Sequence, residues 1–259
     1  MMSSQVVSMQ SPSAADAEVL AQLEGCDFVD FGCKTGGSFS LAEQCLGGTR
    51  GLGVDHNPAH VEAFRAAGGR AIHGDVTRLS LPDKCVRFVC ISHVLEHLPS
   101  MEHVRAALVE STRVATDFVA IVGPFFDADD YLKSVGVKFY WSDWKWHPTH
   151  VSGSALAQIL WEEGLSTFTC WGRYPIRDTD DVCLLPLAAP RNQQKYDAAL
   201  HPPKGPRIAL TQPAYKEVIA LVPLRPLPEL ETILRKLKVD RPLGPYSQLD
   251  IAFAKYWKP

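Results

Sequence analysis

The chain has 259 residues, of which 46% are apolar and 21% are charged, and its formal net charge is −3. This length accommodates one large α/β domain with additions, and the apolar share allows a sizeable core and excludes general disorder. The lysines and arginines are scattered, so we expect no nucleic-acid partner. No apolar stretch is long enough for a membrane span and residues 1–13 do not resemble a secretion signal, so we expect a cytoplasmic protein without membrane contact. The seven cysteines show no C-x-x-C spacing, which favours reduced thiols.

Helix and strand patterns alternate through the first half of the chain. Residues 1–13 are predicted to be a flexible tail. The predicted elements that follow are a helix over 14–23, a strand at 28–31, a helix over 38–45, a strand at 50–55, a helix over 58–67, a strand at 70–73, a strand at 86–91, a helix over 101–114 and a strand at 118–122. This alternation predicts an α/β fold, a doubly wound and mostly parallel sheet with right-handed crossovers.

The second half is less regular. It is predicted to hold a helix over 152–164, strands at 166–171 and 216–223, and a short helix over 229–237. We therefore predict one domain over 14–223, interrupted by a Pro- and Asp-rich insertion at 177–213, and a C-terminal extension at 224–259. The extension either covers the active site or forms a homo-oligomer contact, and the sequence leaves both open.

A glycine-rich turn connects the first strand to the next helix. Asp30 lies at the end of the strand, and Gly32, Gly36 and Gly37 follow it. Glycine allows backbone N–H groups to approach a ligand closely, and a helix N-terminus favours anionic groups. The acidic Asp30 suits a ligand that carries an amine better than one that carries a pyrophosphate. The turn therefore indicates a cofactor site.

Polar residues also follow the neighbouring strands. Asp55, Asp75 and His93 each come at or just after a predicted strand end, so they are expected to converge with Asp30 on one crevice. Asp55 lies 23 positions after Gly32, close to the roughly 20-residue gap at which an acid binds ribose hydroxyls. Any one of these aspartates alone is also a common turn residue.

Residues 25–172 resemble the class I S-adenosylmethionine-dependent methyltransferases. Asp30-x-Gly32-x-x-x-Gly36 resembles the family's first motif, Gly53-Val54-Asp55 the second and Gly74-Asp75-Val76 the third, and Ser92–Leu98 is similar to the V-L-E-H-L segment of small-molecule members. The resemblance implies a Rossmann-like sheet of seven strands, S-adenosyl-L-methionine as cofactor and methyl transfer to an oxygen or nitrogen of a small molecule. The residues it implies for cofactor binding are Asp30, Gly32, Cys33, Gly36, Asp55, His56, Asp75, Val76, Ser92 and His93.

Lys34 departs from this pattern, because the family usually has a second glycine at that position. The departure favours an alternative, a catalytically inactive relative that serves as a binding or scaffold protein. A nicotinamide-dependent oxidoreductase is a further alternative, but loss of the middle glycine disfavours a pyrophosphate there, and Asp30 would repel phosphates.

The segment 124–150 is predicted to form the acceptor side of the site. It is rich in aromatic residues, which either wall an acceptor pocket or anchor the segment to the core. His147 and His150 are predicted catalytic residues, either of them serving as general base for the acceptor. The spacing of these two histidines with Asp143 is also compatible with a metal site. Pro148 interrupts any helix that would align the three residues, so we expect no metal.

Overall fold

A computed structural model describes residues 14–244, so the predicted tail at 1–13 and the end of the predicted extension at 245–259 lie outside the described residues. The helices are α1 (Ala14–Leu23), α2 (Phe39–Cys45), α3 (Pro58–Ala66), α4 (Met101–Val114), α5 (Asp129–Ser134), α6 (Gly153–Glu162) and α7 (Leu230–Leu237). The strands are β1 (Phe28–Phe31), β2 (Gly51–Asp55), β3 (Ala71–His73), β4 (Val86–Ser92), β5 (Ala115–Pro124), β6 (Val137–Phe139), β7 (Thr169–Pro175), β8 (Leu184–Pro186) and β9 (Tyr215–Pro223). A single 3-10 turn, Leu95–His97, follows β4 in this part of the chain.

Seven of the described strands form one sheet in the order β3-β2-β1-β4-β5-β9-β7. The strands from β3 to β5 pair in parallel, whereas β9 runs antiparallel to both β5 and β7. The predicted α/β fold with a doubly wound, mostly parallel seven-stranded sheet is confirmed. The strand order reverses between β1 and β4, and in such sheets a ligand crevice lies at the carboxyl ends of the strands beside this reversal.

Two apolar clusters show that helices cover both faces of the sheet. Residues of α4 and α6 belong to the larger cluster, and residues of α2 and α7 belong to the smaller one. In the smaller cluster, Phe88 stacks between Phe28 and Phe118 across three paired strands, with ring centroids 5.2 and 4.8 Å apart. Because α7 lies in the predicted C-terminal extension, the described part of that extension packs on the sheet.

Three local features differ from the sequence predictions. Helix α6 ends at Glu162 because Gly164 takes a left-handed φ of +75°, and the strand after it begins only at Thr169. The segment 124–150 contains α5 and β6. Strand β8 of the insertion pairs antiparallel with β6, so the insertion is joined to the predicted acceptor side.

Across residues 14–244 every helix is too short or too polar to cross a bilayer.

The phenylalanine stack makes a stability prediction. Replacing Phe88 with Ala removes a fully buried ring from between two others, and we expect the free energy of unfolding to fall by about 3–5 kcal/mol. The surface change Val109→Ala, on the exposed face of α4, should stay within about 0.5 kcal/mol. Urea unfolding monitored by circular dichroism measures both, and a loss below about 1 kcal/mol for Phe88→Ala would contradict the packing role.

Candidate functional site

The turn after β1 is attached to the end of β2 by backbone hydrogen bonds. The N–H groups of Gly32 and Cys33 both donate to the carbonyl oxygen of Val54, at 2.7 and 3.0 Å. Gly32 has a left-handed φ of +72°, and a Cβ atom there would lie 2.4 Å from a methyl group of Val94. Only glycine therefore allows the turn and the segment after β4 to approach each other so closely.

Lys34, the departure from the family pattern, also has a left-handed backbone, with a φ of +48°. Its N–H donates to Oδ2 of Asp55 at 2.8 Å, so the backbone does here what a glycine would do. Its side chain is exposed and lines the crevice. The lysine is therefore compatible with the shape of the turn, at a conformational cost of roughly 1 kcal/mol.

Asp30 is completely buried beneath this turn. Its Oδ2 accepts a hydrogen bond from the Ser38 hydroxyl, while Oδ1 has no hydrogen-bond partner among the described residues. Burial disfavours the charged form and raises the pKa of Asp30 to about 7, although the bonds from Ser38 and Cys90 act in the opposite direction. The site thus holds a carboxyl group that a cationic group nearby would stabilise.

Asp55 organises the other side of the turn. Oδ2 accepts from the Lys34 N–H, and Oδ1 accepts from the Asn57 N–H at 2.9 Å and contacts His60 Nδ1 at 3.2 Å. A carboxylate has about four acceptor positions, so three partners from the chain leave room for one hydroxyl donor.

Asp75 follows β3 and is exposed. Its Oδ1 accepts from the N–H and the hydroxyl of Thr77 at 2.9 and 2.8 Å, and these bonds lower its pKa. With both bonds directed to Oδ1, Oδ2 is available to a ligand amine.

A cavity of about 560 Å³ lies between these groups, within the roughly 300–1,000 Å³ typical of ligand sites. Six of the ten predicted cofactor residues line it: Gly32, Asp55, His56, Asp75, Val76 and His93. The other lining residues are Lys34, His60, Thr77, Val94, His97, Leu98, Pro99 and His103.

The remaining four predicted cofactor residues lie outside this lining. Asp30 is buried under the turn, and Ser92 is the last residue of β4. Cys33 is buried in a small apolar cluster, where burial raises the pKa of its thiol to about 12. Gly36 faces α3, since a Cβ atom there would lie 2.3 Å from the ring of Phe64. Gly36 therefore serves helix packing, which the motif alone does not reveal.

His93 lies in the cavity wall with a strained, left-handed φ of +55°. Nδ1 is 3.3 Å from Oε1 of Glu96, and Nε2 is 3.4 Å from Oε1 of Glu217 on β9. Burial acts to lower the pKa of His93, but hydrogen bonding to the two carboxylates outweighs it and raises the pKa to about 9. The imidazole is therefore cationic at neutral pH. The sequence analysis missed Glu217, because it is 124 positions from His93 and lies within an apolar strand pattern.

Four of the eight Phe, Tyr and Trp rings of the acceptor-side segment are buried in the core. Phe125, Phe126, Phe139 and Trp141 are at most 5% exposed, and Trp141 Nε1 donates to the carbonyl oxygen of Phe125 at 3.0 Å. The anchoring role considered for these rings is thus the one that the structure supports. Trp146 differs, since 60% of it is exposed.

Neither of the two predicted catalytic histidines lines the cavity. His147 is buried and its Nδ1 lies 3.1 Å from the carbonyl oxygen of Trp141, and burial lowers its pKa. His150 stacks on Phe126, with its Nδ1 3.5 Å from Oδ2 of Asp129. Asp143, considered with them as a metal ligand, is instead ion-paired with Lys138 at 2.5 Å. His97, which the sequence analysis did not select as a site residue, lines the cavity.

Residues 29–117 match a family model described as a methyltransferase domain. Residues 29–117 are therefore part of a methyltransferase domain. Among solved structures, the chain is similar to an S-adenosylmethionine-dependent methyltransferase from Archaeoglobus fulgidus, with 18% identity, 80% of this chain and 90% of that chain covered, and a TM-score of 0.52. It is also similar to a possible histamine N-methyltransferase from Thermotoga maritima. The identity is 15%, 82% of this chain and 88% of that chain are covered, and the TM-score is 0.49. A comparison with curated proteins finds no match.

The methyltransferase site fits S-adenosylmethionine, the cofactor of such a domain. The buried Oδ1 of Asp30 without a hydrogen-bond partner suits the neighbourhood of an ammonium group. The carboxylates of Asp55 and Asp75 both line the cavity and both have acceptor capacity left for hydroxyl and amine donors.

The left-handed turn leads to a prediction about Lys34. Lys34→Gly removes the backbone strain and keeps the N–H that binds Asp55, so the free energy of unfolding should rise by up to about 1 kcal/mol. Lys34→Ala keeps the strain and removes the charge, and should leave stability within about 0.5 kcal/mol. Chemical denaturation distinguishes the two, and a loss of more than about 1 kcal/mol in Lys34→Gly would show that the side chain itself supports the turn.

The raised pKa of Asp30 leads to a pH-dependent prediction. Between pH 4 and 7 the unfolded chain releases this proton before the folded one does, so the contribution of Asp30 to stability falls as the pH rises through that window. Asp30→Asn does not titrate, so its melting temperature relative to the native protein should increase from pH 5 to 8. Ser38→Ala, which removes a bond that favours the carboxylate, should steepen the loss in the native background. If the melting temperatures of Asp30→Asn and the native protein changed with pH by the same amount from pH 5 to 8, the raised pKa of Asp30 would be contradicted.

Proposed function

We propose that this protein transfers the methyl group of S-adenosylmethionine to an oxygen or nitrogen atom of a small molecule. The observation that carries the proposal is the cavity at the carboxyl ends of β1, β2 and β3. It gathers Gly32, Asp55 and Asp75, one group from each of the first three strand ends. These groups match the methionine, ribose and adenine ends of the cofactor in chemistry and in order.

In this proposal each end of the cofactor is recognised by a different group. The Gly32 turn offers backbone to the methionine part, above the buried carboxyl group of Asp30. Asp55 accepts from a ribose hydroxyl through its remaining lone pair, and its other bonds hold it in place. Asp75 accepts from the adenine amine through Oδ2, and the backbone of Val76 lies beside the ring.

The cofactor supplies an activated methyl group on a good leaving group, so the protein's main task is to position the acceptor and exclude water. The acceptor side is built from the wall that contains His93 and His97 and from the segment behind it. The segment is held by three hydrogen bonds to the 3-10 turn: His97 Nδ1 with the Trp146 carbonyl, Thr149 N–H with the Glu96 carbonyl, and the Thr149 hydroxyl with the Leu98 carbonyl. Such preorganisation suits a small acceptor held in one orientation. His147 and His150, the predicted general bases, do not line this cavity, so the proposal assigns contact with the acceptor to residues of the wall.

An inactive binding protein, the alternative that Lys34 suggests in the sequence, is not favoured, because residues 29–117 match a methyltransferase domain and the Lys34 backbone keeps the shape of the turn. The Lys34 side chain lies in the cavity lining, where its positive charge would act against the sulfonium of a bound cofactor. The two candidates differ in a single property, since only the enzyme turns over its cofactor when an acceptor is present.

Cofactor binding is the first prediction of the proposal. Titration calorimetry should show micromolar binding of S-adenosylmethionine and none of NAD. Asp55→Asn, which is isosteric, should weaken binding at least about tenfold, because one hydroxyl bond to a charged group is worth roughly 1.5–3 kcal/mol. Glu102→Gln, on the outer face of α4, is the matched control and should bind normally. Binding of NAD with equal affinity would overturn the methyltransferase assignment.

The acceptor class needs a separate experiment. Protein incubated with methyl-labelled cofactor and a cell extract should transfer the label to the fraction below a small-molecule size limit. Label in the protein or nucleic-acid fraction would contradict the small-molecule acceptor, and cofactor binding without transfer to any fraction would support the binding protein.

A further inference from the structure

Three side chains that the cofactor does not require converge behind the acceptor wall. Glu96 and His97 lie on the 3-10 turn after β4, and His147 lies 50 positions later, before α6. One potential ligand atom from each lies within 4.8 Å of the others. Ligand atoms 2.1 Å from a tetrahedral zinc ion are about 3.4 Å apart, so side-chain movements of roughly 1 Å would close the group around an ion.

A backbone carbonyl fixes the tautomer of each of the two imidazole rings. Nδ1 of His97 lies 2.6 Å from the carbonyl oxygen of Trp146, and Nδ1 of His147 lies 3.1 Å from that of Trp141. A carbonyl oxygen only accepts, so each Nδ1 carries the hydrogen and each Nε2 presents a lone pair. A backbone carbonyl that fixes the tautomer in this way is the usual partner of a metal-binding histidine. The ring centroids are 4.9 Å apart and the ring planes are inclined by 67°.

The carboxylate of Glu96 is buried and only partly compensated by charge. Glu96 is 2% exposed, and the charged partner of its Oε1 within the range 14–244 is the imidazolium of His93, whose Nδ1 lies 3.3 Å away. His93 is itself shared with Glu217. A second cation would therefore stabilise this buried carboxylate further.

We propose that Glu96, His97 and His147 bind a divalent transition-metal ion, with Zn²⁺ the best match. Two imidazole nitrogens and one carboxylate oxygen are ligands that suit zinc, whereas Mg²⁺ and Ca²⁺ prefer oxygen ligands alone. Three protein ligands leave a fourth position of a tetrahedral ion open. This ligand set replaces Asp143, His147 and His150, the set that sequence spacing brings to mind, and it depends on a contact between distant segments.

The open position gives the ion a role at the acceptor site, an extension that rests on the proposed function. His97 lines the cavity, so the fourth ligand approaches from the cavity side. A hydroxyl oxygen bound there would release its proton to water in the cavity more readily and could be held near the methyl group. The acceptor class is then a small molecule with a hydroxyl group that can bind zinc.

Metal binding is tested without any activity assay. Tag-free protein, stripped with a chelator and dialysed, is titrated with Co²⁺ and followed by its visible absorption, and Zn²⁺ is then added as a competitor. We expect one equivalent of Co²⁺ with the spectrum of a four- or five-coordinate ion, displacement by equimolar Zn²⁺ and no displacement by excess Mg²⁺.

Variants assign the ligands. Glu96→Gln, His97→Ala and His147→Ala should each weaken Co²⁺ binding at least about 100-fold, since even outer-shell changes cost 10- to 100-fold. Asp143→Asn and His150→Ala are matched controls from the same segment and should bind as the native protein does. Circular dichroism and melting curves establish that each variant folds, and Glu96→Gln is the decisive one because it preserves shape.

Three outcomes would overturn the proposal. They are no cobalt spectrum in the native protein, binding that survives Glu96→Gln and His147→Ala, and binding lost in Asp143→Asn or His150→Ala. Calorimetry with S-adenosylmethionine on the same stripped protein keeps the proposals separate. Cofactor binding without metal binding rejects this site alone, and metal binding without cofactor binding rejects the proposed function alone.

Discussion

The attachment of the first turn to the second strand is the constraint on which the site depends. Backbone donors from Gly32 and Cys33 reach the Val54 carbonyl, and the next donor, from Lys34, reaches the carboxylate of Asp55. These bonds fix the turn at the cavity and the orientation of Asp55 relative to each other. Because the Lys34 contact uses the backbone, the turn keeps its shape although a lysine occupies a position where glycine is expected. The side chain at position 34 can therefore vary without altering the shape of the turn.

A second attachment joins the 3-10 turn after β4 to the segment before α6. Hydrogen bonds from His97 and Thr149 cross between two segments about 50 residues apart in the chain, and they bring His147 behind Glu96. These bonds, with that between His147 Nδ1 and the Trp141 carbonyl, hold the two imidazole rings of the proposed metal site near one buried carboxylate. Structural and chemical roles therefore coincide here. The buried aromatic rings nearby, such as Trp141, provide the rigid support that such a site requires.

Charge is distributed in layers around the cavity. Asp30 lies completely buried beneath the turn, and Asp55 and Asp75 lie in the cavity lining. His93 lies in the cavity wall between two carboxylates. Burial and nearby charges push the pKa values of Asp30 and His93 upward for different reasons. For Asp30 the cause is desolvation of its own charge, and for His93 it is the attraction of Glu96 and Glu217.

Local sequence determined the alternation of strands and helices, the glycine turn and the acids at successive strand ends. Hydrophobic periodicity and strand-end chemistry depend on residues close in the chain, and in a parallel sheet the carboxyl ends of the strands meet at one edge. The tertiary structure alone decided which side chains meet across long separations. It paired Glu217 with His93, turned Gly36 toward Phe64 rather than the cavity, and brought His147 to Glu96 instead of to Asp143. Those contacts form between segments that are far apart in the chain. Hydrophobic periodicity indicates which face of a helix or strand a residue lies on, but it does not indicate which distant segment packs against that face.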